Sequence, residues 1–97
     1  MTLSEFKDST KSAEPPAGLA APLLALWHDA RGDWDAAHNT AQEIPDPTGA
    51  WIHAYLHRKE GDIGNAGYWY RRARQPEAHD SLDAEWERIA QSLIPNP

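Results

Sequence analysis

An all-α fold is predicted for this chain of 97 residues, and three observations carry the prediction. The chain holds 16 Ala and 8 Leu but no Val, a balance that suits helices and leaves little from which to build a sheet. Its apolar residues recur three and four positions apart in successive stretches, the period of one face of a helix. Between stretches stands a Gly-Asp pair, at 32–33 and again at 61–62, where Gly serves as a left-handed cap and Asp as the N-cap of the next helix. The length allows one core, because chains of this size bury only about two-thirds of their unfolded surface. With 40% hydrophobic residues and a mean hydropathy of -0.74, the composition fits neither a disordered chain nor a membrane span. The absence of Cys removes disulfide scaffolds, thiolate zinc sites, iron–sulfur ligation and cysteine nucleophiles together.

Residues 1–17 are polar, end in Pro15-Pro16 and are expected to form an N-terminal arm. Thr2 and Glu5 have the spacing of a capping box for one short turn, from which Leu3 and Phe6 would dock onto the body. A single helical domain is expected over residues 18–97, made of two helical hairpins, about 20–47 and 49–75, and a capping helix, about 81–94. Pro22 suits the opening of the first helix, and Leu23, Leu26, Trp27 and Ala30 give it an apolar stripe that ends at Gly32. Asp33 caps the second, striped by Trp34, Ala37, His38, Ala41 and Ile44 and stopped by Pro45 and Pro47. The third runs from about Ala50 to Glu60. Its Trp51, Ile52, Ala54, Tyr55 and Leu56 cover more than half the circumference, which implies neighbours on two sides. Gly61-Asp62 restarts the chain into a helix lined by Ile63, Ala66, Trp69, Tyr70 and Ala73. Ser81 caps the last, a lid with Leu82, Trp86, Ile89 and Leu93 inside and Glu85 and Glu87 outside.

The two Gly-Asp turns are 29 residues apart, and the overlay also matches Ala25 with Ala54, His28 with His57 and Ala37 with Ala66. Gly32-Asp33-Trp34-Asp-Ala-Ala37 resembles the G-D-Y-x-x-A turn of tetratricopeptide repeats, with Trp34 in place of the Tyr. Gly61-Asp62-Ile63, with Ala66, Tyr70 and Ala73, continues that pattern, and Tyr68-Trp69-Tyr70-Arg71-Arg72-Ala73 is similar to the W-Y-R-K-A helix of Sel1-like repeats. The string from His53 to Asp62, with the earlier Gly-Asp-Trp-x-x-Ala-His38, is also similar to a family of small uncharacterised microbial proteins, a similarity that supplies no activity. The resemblance spans roughly residues 20–75 and implies stacked TPR-like hairpins sharing a core. It departs from the family in its shorter period and in His28 and His57, which stand where the pattern places a Tyr. Two repeats are fewer than a solenoid usually needs, so an exposed apolar edge is expected. The leading functional expectation is therefore a protein- or peptide-binding module, or one that pairs with a second copy of itself as a homodimer.

The alternative is a metal- or small-anion-binding protein, possibly an enzyme. His53 and His57 are four apart, so one helix face presents both imidazoles, the spacing with which two histidines hold one metal; a third ligand could come from His38, His28 or Asp29. The residue after His53 is Ala54 rather than the Glu of a zinc protease motif. A helical wheel places His53, His57 and Glu60 opposite the apolar arc, whereas the repeat resemblance places the histidines at packing positions. Packing histidines bonded to backbone or carboxylate are the favoured expectation, and no cofactor is expected. Trp51, behind a Pro-Asp-Pro loop, is the tryptophan expected to be partly exposed, with the other four in the core.

Net charge is -6, but residues 58–74 are locally basic. Arg58, Arg71, Arg72 and Tyr68 there are candidate contacts to an acidic peptide, phosphate or carboxylate, weighed against pairing with Glu60, Asp62 or the last helix. Nucleic acid is not expected, since the rest of the chain would repel it. The acidic, polar start argues against a secretory signal, so a cytoplasmic, membrane-free protein is expected. Gly64 and Gly67 are expected to admit a neighbouring helix or Trp ring rather than a phosphate, and Asp29, Asp33 and Asp35 to act as caps and surface charges.

Overall fold

The computed structural model describes residues 1–94; residues 95–97, the end of the expected domain, lie outside the described residues. Within them the chain forms six helices and no strand: α1 (Leu3–Ser9), α2 (Ala21–Ala30), α3 (Trp34–Gln42), α4 (Thr48–Glu60), α5 (Ile63–Ala73) and α6 (Leu82–Leu93). Each start has a local cause. Thr2 and Glu5 close a reciprocal capping box on α1, and Asp33, Asp62 and Ser81 accept from the third backbone N–H beyond them at α3, α5 and α6. Gly32 and Gly61 adopt φ of 81° and 91°, which turns the chain sharply out of α2 and α4.

α2 packs on α3 and α4 on α5, while α3 lies against α4 and α6 returns onto α4, α2 and α1. A single large core joins Phe6, Leu26, Trp27, Ile52, Leu56, Trp86 and Ile89, and a smaller one gathers Ala54, Ala66 and Tyr70. Phe6 is wholly buried and stacks on Trp86 at 5.4 Å. Trp86 donates from Nε1 to the Leu26 carbonyl, and Trp27 likewise to Ser9, so α1 is tied into the body by aromatic packing and by a buried donor that has found its partner.

Several expected positions are corrected. Ala30 is exposed at the end of the α2 stripe, and Ile63, the first residue of α5, is 59% exposed. Gly64 has open space where a side chain would stand, and a Cβ on Gly67 would meet the Glu77 carboxylate rather than a helix or Trp ring. Glu85, expected outside, has no exposed surface. Its carboxylate accepts from Tyr70 Oη, Arg58 Nη1 and Trp51 Nε1, a set of donors that allows a charge to be buried. Asp29, expected as a cap or surface charge, is also buried, accepting from Tyr55 Oη at 2.8 Å and Lys59 Nζ at 2.8 Å.

Candidate functional site

The site begins with two helix faces brought together by packing. α4 presents His53 and His57 one turn apart, and α3, lying against it, presents His38. The three imidazoles converge so that one nitrogen of each lies within 4.8 Å of the others. His38 Nε2 and His53 Nε2 are 2.9 Å apart, and one of them must carry the proton that joins them. His57 Nδ1 is 2.6 Å from Glu60 Oε2; donation of that N–H leaves Nε2 as its lone-pair nitrogen, with the Asn65 amide 3.4 Å away. His38 Nδ1 meets the Gln42 amide at 3.2 Å.

Tryptophans hold the rings in place. Trp34 stacks on His38 at 4.8 Å and is anchored by its Nε1–H on the Leu56 carbonyl. Trp69 lies parallel to His53 at 4.0 Å and 3°. Both were expected in the core and are instead half-buried, and Trp69 walls a cavity of about 670 Å³ that all three histidines line. His53 and His57 are buried, 5% and 7% exposed, and not on an open side as the wheel places them, because α5 closes over that side. Burial, then the neighbouring His38 and His57, lower the His53 pKa to about 4. His38 is lowered in the same direction, first by burial and then by His57.

The remaining candidates divide. Arg72 and Tyr68 line the same cavity: the Arg72 guanidinium lies 4.5 Å over Trp69, donates from Nε and Nη2 to Asp46 Oδ2, and reaches the Tyr68 hydroxyl. Arg71 is exposed and does not line it. Arg58 is turned away to Glu85 and the Asp80 carbonyl, an internal pairing in place of the expected ligand contact. Trp51 is half-buried, as expected, and gives its Nε1–H to Glu85 at 3.3 Å across the α4–α6 junction. Of the suggested third ligands, only His38 joins the cluster; His28 lies edge-on to Trp27 and Asp29 belongs to Tyr55 and Lys59. Asn65 and Asp46 carry no motif in the sequence, and only the packing of α5 and the 44–49 turn brings them to the cavity. Comparison with protein families, curated proteins and solved structures finds no match for this chain.

Proposed function

We propose that this chain binds a divalent transition-metal ion through His38, His53 and His57. The observation that carries the reading is the convergence of three imidazole nitrogens within 4.8 Å, on rings that aromatic stacking already holds in place. Imidazole suits zinc, copper and nickel, and three protein nitrogens leave a position for an exogenous ligand. The lowered His53 and His38 basicity supports the reading, because both rings are neutral at pH 7 and a metal meets no imidazolium there. The contact between the two Nε2 atoms holds a proton that an ion would replace. His38 would then carry its proton on Nδ1, facing a Gln42 amide turned to present its oxygen. Glu60 is placed to orient His57 as carboxylates orient metal-bound histidines.

The expectation of a peptide partner or homodimer rested on an open apolar edge. α1 and α6 lie across the main core, and the large apolar side chains exposed among the described residues are Met1, Ile63 and Tyr68, so the geometry favours the histidine cavity. Calorimetric titration of the metal-free protein with zinc chloride and with nickel chloride tests the reading. One ion per chain is expected, with affinity reduced at least about a hundredfold in His38→Ala. Absence of stoichiometric binding, or equal affinity in His38→Ala, contradicts it.

A further inference from the structure

Three imidazole nitrogens leave a tetrahedral ion one position short, and the hydrogen bonds around the rings point to the group that fills it. Gln42 and Glu60 meet Nδ1 of His38 and of His57, whereas the nitrogens in contact between His38 and His53 are both Nε2. Gln42 and Glu60 therefore stand behind the rings, the place from which an outer group orients a ligand. Asn65 stands elsewhere. Its amide lies 3.4 Å from His57 Nε2, the nitrogen left with a lone pair once Nδ1–H is given to Glu60. Two ligand atoms on one tetrahedral zinc, bound at the usual lengths, are about 3.4 Å apart. The Asn65 amide is thus already at ligand spacing from His57, and it lines the same cavity as the three rings. Its backbone is fixed as well: Asn65 is the third residue of α5, and its N–H donates to the Asp62 cap at 3.3 Å.

Resting on the metal reading, we propose that Asn65 is the fourth ligand, through its amide oxygen. Without an ion, the amide turns its NH2 toward the His57 Nε2 lone pair; half a turn about χ2 puts Oδ1 in the same place. The ligand set is then three imidazoles and one neutral oxygen, none of which offsets the charge of the ion. An exogenous ligand enters by displacing that oxygen, a donor less suited to zinc, copper or nickel than imidazole is.

The test uses the full chain loaded with cobalt(II), whose visible absorption reports its ligands, together with zinc affinity measured against a competing chelator. Asn65 is exposed, so its replacement leaves the core intact. Asn65→Ala is expected to shift the cobalt bands and to weaken zinc about tenfold. It should also bind azide at about tenfold lower concentration than the unaltered chain, in which azide must first displace the amide. Asn65→Asp is expected to tighten zinc about tenfold and to move the cobalt bands, as a carboxylate replaces the amide on the ion. Gly64→Asp, the same charge one residue earlier and in open space, controls for charge alone and should keep the unaltered bands. Unchanged bands and zinc affinity in Asn65→Ala, or azide binding equal to that of the unaltered chain, overturns the proposal. So does equal tightening by Asn65→Asp and Gly64→Asp with unaltered bands in both. Failure of the metal reading itself is seen separately, as the absence of cobalt bands in the unaltered chain, and it removes the proposal with it.

Discussion

Glu85 illustrates how a side chain that reads as solvent-facing becomes part of the interior. In the sequence it reads as lying outside the narrow apolar stripe of the last helix, yet three donors from α4 and α5 meet it once those helices are packed. A buried carboxylate that loses its cationic partner is costly, so Arg58→Ala is expected to destabilise by about 3–5 kcal/mol, whereas Arg58→Met with Glu85→Gln, which keeps an acceptor for Tyr70 Oη and Trp51 Nε1, should recover part of that loss. Urea unfolding of the single and double variants measures both, and an additive loss in the double variant contradicts the network. His53 makes a second prediction, on pH. Its folded pKa is about 4 and its unfolded value about 6.5, so between these the unfolded chain binds a proton that the folded chain refuses. The contribution of neutral His53 is complete above pH 6.5 and is lost as the pH falls toward 4. From pH 7 to pH 5 it amounts to about 2 kcal/mol, and the loss should shrink in His53→Gln. An equal loss in both proteins contradicts the assignment. The His53–His57 pair was legible from spacing alone, and His38 was named as one possible third member. Choosing it over His28 and Asp29 required knowing which helix faces meet.

Helix starts were the most legible elements, because their causes are local: Thr2, Asp33, Asp62 and Ser81 each accept the backbone N–H that their position in the sequence implies. The glycines were less so, since the need for a missing side chain depends on what lies opposite. At Gly49 a Cβ would stand 2.0 Å from the Ile44 carbonyl oxygen, so the turn that carries Asp46 closes only with glycine there. Gly64 faces open space. Gly49→Ala is accordingly expected to cost about 3 kcal/mol, and Gly64→Ala to stabilise by up to about 1 kcal/mol through helix propensity. Thermal melts of the two variants should move in opposite directions, and a melting temperature lowered in both contradicts this placement of the helix faces. The arm was visible as a capping box and two apolar residues, but its full burial of Phe6 depends on Trp86, 80 positions away. Phe6→Ala should cost about 3–5 kcal/mol by equilibrium unfolding, and a cost below about 1 kcal/mol would show that α1 does not dock.

Taken as one body, the chain uses its five tryptophans in three ways. Trp27 and Trp86 bind α1 and α6 to the core, Trp51 joins α4 to α6 through Glu85, and Trp34 and Trp69 stack on His38 and His53, Trp69 as a wall of the cavity. A stripe of apolar spacing predicts that a tryptophan turns inward; it does not distinguish a core from the lining of a pocket, because both lie on the inner side of a helix. The all-α class therefore followed from composition and period, while the site emerged only where α3, α4 and α5 face one another. The central claim is that these faces assemble a ligand set of three imidazoles. X-ray absorption at the zinc edge of the zinc-loaded protein measures it most directly. Three imidazole nitrogens at about 2.0–2.1 Å are expected, falling to two in His38→Ala; a shell of oxygens alone, or one unchanged by that substitution, would contradict the assignment.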